Sequence, residues 1–283
     1  MSIILWNNQL INEEEINISK EDRGYQFGDG IYEVIRVYDG SMYTAKEHID
    51  RLYESADKIR LIIPHTKDVF HKMMYNLIEA NEVVTGQVYV QVTRGVSARQ
   101  HQFPSPSVEC VITAYTKEVA RPVTQMANGV SAKTVEDVRW LRCDIKSLNL
   151  LGNVLAKQEA HDEGCFEAVL HRGDVITEGS SSNMYGIRGG VLYTHPATNY
   201  ILNGITRRVI LECCEEIGLP VVEEAMSLTN LYDHEEFFMS STTAEILPII
   251  MIDRKPIGTG LPGSWTTKLQ AAFEAKINKA VLA

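Results

Sequence analysis

Residues 31–44, IYEVIRVYDGSMYT, constrain the fold more than any other stretch of this chain. Two runs of β-branched and aromatic residues flank Asp39-Gly40, a pair that tolerates the positive φ angles of a tight turn, so a β-hairpin is predicted. Directly afterwards the hydrophobic period changes. Over residues 46–60, Ile49, Leu52, Ala56 and Ile59 fall on one face of a helix. A second helix is predicted over about 67–81, after Pro64, and a short hairpin-like pair, ILWNNQLI, turns around Asn7-Asn8. QVYVQVTRG and ECVITAYT read as strands separated by the loop SARQHQFPSPS.

Around EVARPV the pattern breaks at a proline with no periodic apolar signal, which predicts a domain boundary. The expected organisation is an N-terminal α+β domain over 1–118, a linker at 119–122 and a C-terminal domain over 123–283. In the second half a helix is predicted over about 147–163, with Ser147 and Asn149 available to cap it. The strands FEAVLHR, DVITEG and SNMYGIRGGVLYTH follow. ITRRVILECCEEIG places Ile205, Val209, Cys213 and Ile217 at four-residue spacing, closed by Gly218 and Pro220. EFFMSSTTAEILPIIMID supplies further strand, and a last helix covers about 264–277. Strands and helices intermix without the alternation of a doubly wound or barrel fold, so the class is α+β.

Composition narrows the function. The chain of 283 residues is 45% hydrophobic and 23% charged, the balance of a globular protein. A formal net charge of -10 repels phosphates, which argues against nucleic acid or an anionic membrane as partner. No apolar run approaches the roughly 20 residues that span a bilayer, and the N-terminus lacks the pattern of a secretory signal. The five cysteines form no CxxC pair and are odd in number, which suggests neither a disulfide framework nor a metal site and fits a reduced, cytoplasmic setting.

Three features could carry chemistry. Lys146 lies among apolar residues in VRWLRCDIKSLNLLGNVLAKQEA, and an amine held in a low-dielectric site favours its neutral, nucleophilic form. Taken alone, a lysine is ordinarily a surface residue whose stem covers apolar neighbours. Glu178 leads into Gly179 and the serines 180–182, where a carboxylate could accept a hydrogen bond from a protonated ring nitrogen. LNGITRRV places Ile205 and Thr206 at a helix N-terminus, and SSTTAE offers Ser241, Thr242 and Thr243 in a turn, both suited to a phosphate. Arg51 sits beside the apolar stripe of its helix and could reach inward.

The joint order of these features resembles the class IV aminotransferases, the fold-type IV enzymes of pyridoxal phosphate (PLP). EGSSSNMY, continuing through LYTHPATNYILNGITR, is similar to that family's signature segment. RGYQFGDGIYEV, EHIDRLYESA, VTRGVSARQHQFP and SSTTAEI extend the resemblance essentially end to end, and they are most similar to members acting on D-amino acids.

The resemblance implies a smaller N-terminal α+β domain and a larger C-terminal mixed α/β domain with the cofactor between them, in a homodimer. It implies that Lys146 is the Schiff-base lysine and proton carrier and that Glu178 pairs with the pyridine nitrogen. Arg51, Ile205, Thr206, Ser241 and Thr242 would hold the phosphate, with Ser180, Ser181 and Ser182 along the cofactor rim. Tyr32, Arg99 and His101 would trap the substrate α-carboxylate, the last two reaching in from a partner subunit. Arg99 and His101 are two residues apart, so in an extended stretch they share a face. Trp140 and Leu202 are further candidates for shaping the pocket.

The implied reaction is transamination between a D-amino acid such as D-alanine and a 2-oxo acid such as 2-oxoglutarate, giving pyruvate and D-glutamate. Rivals within the family are a branched-chain L-amino acid aminotransferase, an aminodeoxychorismate lyase and an (R)-amine transaminase. A Schiff-base aldolase needs the lysine without phosphate anchors, and a non-catalytic PLP-binding protein needs neither Lys146 nor Glu178.

Overall fold

The structure is a computed structural model and describes residues 2–282. The chain forms two compact units, one of Met1–Ala120 with Ile145–Asn149 and one of Arg121–Asp144 with Leu150–Ala283. Helices and sheets are mixed in the α+β manner. Among the described residues no helix is long and apolar enough to cross a membrane.

In the first unit β1 (Ile3–Trp6) and β2 (Gln9–Asn12) form the hairpin expected around Asn7-Asn8. A short helix α1 (Arg23–Phe27), which the periodicity did not announce, precedes β3 (Gly30–Tyr38). Asp39 and Gly40 take φ of 47° and 74° and turn the chain into β4 (Ser41–Met42). Helices α2 (Ala45–Lys58) and α3 (Lys67–Ala80) follow, then β5 (Gly86–Thr93) and β6 (Val111–Glu118). The strands form one antiparallel sheet in the order β2-β1-β6-β5-β3-β4.

One face of that sheet is dictated by alternation. Ile31, Ile35 and Val37 of β3 and Val88, Val90 and Val92 of β5 all point into a core closed by Ile49 and Leu52 of α2 and Phe70, Met74 and Leu77 of α3. Glu33 shares that parity, so a carboxylate is folded into an apolar layer.

The second unit opens with a short helix α4 (Val123–Asn128), directly after the expected linker at 119–122, where the sequence announced no element. Its strands are β7 (Val130–Glu136), β8 (Glu167–Arg172), β9 (Val175–Gly179), β10 (Asn183–Arg188), β11 (Val191–Thr194), β12 (Val221–Val222), β13 (Glu236–Ser241), β14 (Glu245–Ile252) and β15 (Lys255–Pro256). They form a mixed sheet in the order β12-β11-β10-β13-β14-β7-β8-β9, with β15 beside β14. β7 pairs in parallel with both β8 and β14. The helices are α5 (Leu151–Asp162), α6 (Ile205–Ile217) and α7 (Ser264–Val281). α5 lays Ala156 and Ala160 against Val135, Ala168 and Leu170. α6 buries Ile205, Val209, Ile210, Cys213 and Cys214, and Gly218 ends it at φ 71°.

Helix α5 starts at Leu151, four residues later than the predicted start near 147, and no side chain caps it. The reason is a competing partner. Tyr32 N donates to Lys146 O and Leu148 N to Gly30 O, both at 3.0 Å, and Ser147 bridges Ile31. The backbone of 146–148 is thereby pinned to β3 by a single antiparallel bridge, where helix hydrogen bonds cannot form. Asn149, instead of capping, donates from Nδ2 to Gly28 O at 3.1 Å.

Candidate active site

Lys146 is placed by that bridge, so its position depends on β3 and not on a helix. The side chain is half-buried. Its Nζ lies 4.1 Å from the centre of the Tyr32 ring, a cation–π distance, and its backbone N–H donates to Ser55 Oγ of α2 at 3.4 Å. Tyr32 in turn stacks on Tyr89 of β5, with ring centres 5.7 Å apart.

Arg51 projects from the buried face of α2 onto Glu33. Its Nε donates to Glu33 Oε1 at 2.6 Å and its Nη2 to Oε2 at 2.9 Å, a fork-to-fork pairing. His48, one turn earlier, brings Nδ1 within 2.8 Å of Glu33 Oε2. Burial by itself would raise the Glu33 carboxyl, but the charges of Arg51 and His48 hold it well below the usual carboxylate range. Burial lowers the proton affinity of His48, with Glu33 opposing and the nearby charges of Arg51 and Lys146 reinforcing the effect. The sequence points to Arg51 but not to these partners. Their signal is a charged residue at a core parity of β3, one that alternation alone marks as out of place.

Arg99 and His101 lie exposed on the loop between β5 and β6. Both meet the ring of Phe27: the Arg99 guanidinium carbon is 4.5 Å from its centre and the His101 ring 5.7 Å. The loop is held from behind by buried Arg23, whose Nη1 donates to Gln100 O at 2.7 Å while its Nε is engaged by Asp29 at 2.8 Å.

The second unit holds the remaining candidates. Glu178, at the end of β9, is fully enclosed by donors. Arg139 Nη1 donates to Oε1 at 2.7 Å, and Leu202 N and Asn183 Nδ2 donate to Oε2 at 3.0 and 3.2 Å. Burial pushes the Glu178 carboxyl up to about 7, against the lowering influence of Arg139 and the Leu202 amide. Leu202 therefore serves through its backbone, while Trp140 is partly exposed and offers its carbonyl to Arg172 at 3.1 Å.

Asn183 also donates to Leu202 O at 2.9 Å, tying Glu178 to the segment that starts α6. Gly204 caps that helix without a side chain, and a Cβ there would come within 2.3 Å of Asn183 Oδ1. The first amides of α6, at Ile205 and Thr206, thus begin a helix with no side-chain cap, a ready anion site. Ser241, Thr242 and Thr243 form the half-buried turn joining β13 to β14, with Ser241 Oγ accepting from Ala244 N at 3.2 Å.

The three serines divide. Ser180 and Ser182 are buried and donate their hydroxyls to Glu167, the latter at 3.1 Å, whereas Ser181 is exposed. Glu167 is fully buried in β8 and shapes the turn after Glu178, a role that its place in FEAVLHR does not reveal. Each unit by itself offers groups that suit PLP: the first an amine beside an aromatic face, the second a buried carboxylate and an uncapped helix start.

A model of the family described as amino-transferase class IV matches residues 30–252. The chain is 49% identical over 277 residues to a D-alanine aminotransferase of Staphylococcus epidermidis, covering 98% of each. To a D-alanine aminotransferase of Listeria monocytogenes it is 50% identical over 279 residues, covering 98% of this chain and 96% of the other. Solved branched-chain amino acid aminotransferases share the fold. The Escherichia coli enzyme gives a TM-score of 0.92 at 25% identity, covering 97% of this chain and 94% of that one. The T.th. enzyme solved with pyridoxamine 5'-phosphate gives 0.91 at 26%, with the same coverage.

Proposed function

The chain belongs to the class IV aminotransferase family and is an aminotransferase, and on that premise we propose that its substrates are a D-amino acid such as D-alanine and a 2-oxo acid such as 2-oxoglutarate. The products are then pyruvate and D-glutamate. The observation that carries the chemistry is Glu178: a buried carboxylate whose oxygens are held in place by Arg139, Asn183 and the Leu202 amide. The choice of D-amino acids is supported by relatives at 49–50% identity whose names say D-alanine, against 25–26% for the branched-chain enzymes.

PLP, when bound, supplies an aldehyde for the amine and a ring that withdraws electrons from the substrate Cα. Lys146 Nζ would hold the cofactor covalently and, once displaced by the substrate amine, would take the proton from Cα and deliver it to the cofactor carbon that carried the aldehyde, so that the amino group stays on the cofactor and the substrate leaves as a 2-oxo acid. The Tyr32 ring beside Nζ stabilises the amine while it is cationic. Glu178 would accept from the ring N–H and so keep that nitrogen charged. Arg51, Ile205, Thr206, Ser241 and Thr242 hold the phosphate. Arg51 already gives two donors to Glu33, which fixes its orientation.

Tyr32, Arg99 and His101 take the substrate α-carboxylate, with Arg99 and His101 supplied by the second subunit of a homodimer. The exposed apolar residues of α5, Leu151, Val154 and Leu155, support such an assembly, because they share a helix face and are 73%, 58% and 57% exposed in the single chain. We place the enzyme in the cytoplasm, which five free cysteines support.

The test is a panel of D-alanine and L-leucine, each with 2-oxoglutarate. Turnover of D-alanine with formation of pyruvate is expected; turnover of L-leucine alone would overturn the assignment. A colourless protein that gains no visible band on incubation with PLP would favour the aldolase instead.

A further inference from the structure

Behind Glu178 lies a buried chain of alternating charge. Arg172 Nε meets Asp137 Oδ2 at 3.1 Å. Asp137 takes Arg139 Nε on Oδ1 and Nη2 on Oδ2, both at 2.9 Å, and Thr177 Oγ1 on Oδ2 at 3.0 Å. Arg139 then spends Nη1 on Glu178. The side chains of Asp137, Arg139 and Glu178 are at most 7% exposed. Two features show that the Arg139 fork is held rigidly. Its backbone N–H also donates to Asp137 Oδ1, at 3.1 Å, while Arg172 Nη2 donates to its carbonyl at 3.0 Å. On the far side α5 presents Gly152, where a Cβ would lie 2.9 Å from Arg139 Cγ, so the helix packs directly against the stem.

We propose that Arg139 is a positioning residue that keeps the Glu178 carboxylate charged and aimed at the ring nitrogen of the cofactor. The inference rests on the reading of Glu178 given above. Arg139 has no contact with substrate in this scheme; it acts through Glu178. The groups facing Glu178 are Arg139, Asp137, Cys143 and Tyr185, together with the neutral donors Asn183 Nδ2 and Leu202 N–H. Arg139 is the cation that meets the carboxylate directly.

Removing it leaves two buried carboxyls, Asp137 and Glu178, with Arg172 able to serve only the first. Burial then drives a proton onto Glu178, because the charged form loses its main compensation. A neutral Glu178 no longer stabilises a protonated ring nitrogen. The fork matters as well as the charge: one edge of the guanidinium is locked on Asp137, which leaves Nη1 a single direction in which to donate.

The test uses the full-length apoprotein titrated with PLP, read by visible absorbance and, with ring-labelled cofactor, by the ¹⁵N chemical shift of the pyridine nitrogen. The variants are Arg139→Gln, Arg139→Lys, Glu178→Gln and the double variant Arg139→Gln/Glu178→Gln. Arg139→Gln is expected to weaken PLP binding roughly ten- to hundredfold, the usual cost of losing a group that orients a ligand's direct partner. It also moves the nitrogen shift towards the unprotonated value. Arg139→Lys recovers part of the affinity, since the charge remains without the fork.

The double variant binds PLP about as weakly as Glu178→Gln alone, because both changes remove one interaction. Wild-type affinity and nitrogen shift in Arg139→Gln would overturn the proposal, and so would losses that multiply in the double variant. If Arg139→Gln fails to fold, the same cycle is run with Arg139→Lys. A Glu178→Gln protein that binds PLP as the wild type does, with an unchanged nitrogen shift, instead removes the reading of Glu178 itself.

Discussion

Replacing Glu33 with Gln takes one charge out of a fully buried layer and leaves its volume unchanged. In the wild type the Glu33 oxygens receive Arg51 Nε and Nη2 at 2.6 and 2.9 Å and lie 2.8 Å from His48 Nδ1. The variant places an amide nitrogen, itself a donor, where one of those oxygens accepted. Arg51 is 5% exposed, so its charge is shielded from bulk water. Losing one partner of a buried ion pair costs about 3–5 kcal/mol. At about 3 °C per kcal/mol for a domain of this size, the apoprotein should melt roughly 10–15 °C earlier. Circular dichroism melts of the apoproteins at pH 7 measure this directly. A control separates the pair from its packing: Glu33→Gln/Arg51→Met should be more stable than Glu33→Gln alone, because the buried cation is removed together with its carboxylate. The reasoning is refuted by a loss under about 1 kcal/mol, or by a double variant whose destabilisation is the sum of the two single ones.

Three further outcomes are expected. Borohydride reduction of the PLP-loaded enzyme should leave a cofactor-sized covalent mass addition on the wild type and none on Lys146→Ala, whose D-alanine turnover should fall at least about a thousandfold; undiminished turnover in the variant would remove the role of Lys146. Folding raises the Glu178 carboxyl from its usual 4.5 to about 7, so folding favours its protonated form. That contribution is full below about pH 4.5 and is lost as pH rises through 7, amounting to about 3 kcal/mol. The apoprotein should therefore lose stability relative to Glu178→Gln between pH 5 and 8, and parallel melting profiles for the two would contradict this. Gly95 has φ 104° and a Cβ there would sit 1.9 Å from Glu109 O, so Gly95→Ala should cost about 3 kcal/mol in a denaturant titration; a cost under about 1 kcal/mol would show that the loop can move aside.

What the sequence by itself determined is whatever depends on neighbours in the chain. The Asp39-Gly40 hairpin, the strand alternation of β3 and β5 and the four-residue spacing in α6 are local patterns, and they fold as read. Lys146, Glu178 and Arg51 stood out by motif order. The tertiary structure decided what each of them touches. Residues 147–150 fall inside the predicted helix, yet the backbone of 146–148 is pinned to β3 by one antiparallel bridge, because the hydrogen bonds β3 offers at Gly30 and Tyr32 replace those of a first helical turn. Glu33 lies eighteen residues from Arg51 and Arg139 thirty-nine from Glu178. No local period links such distances. A buried charge must find an opposite charge wherever the fold brings one, and only the packed sheet settles which residue that is.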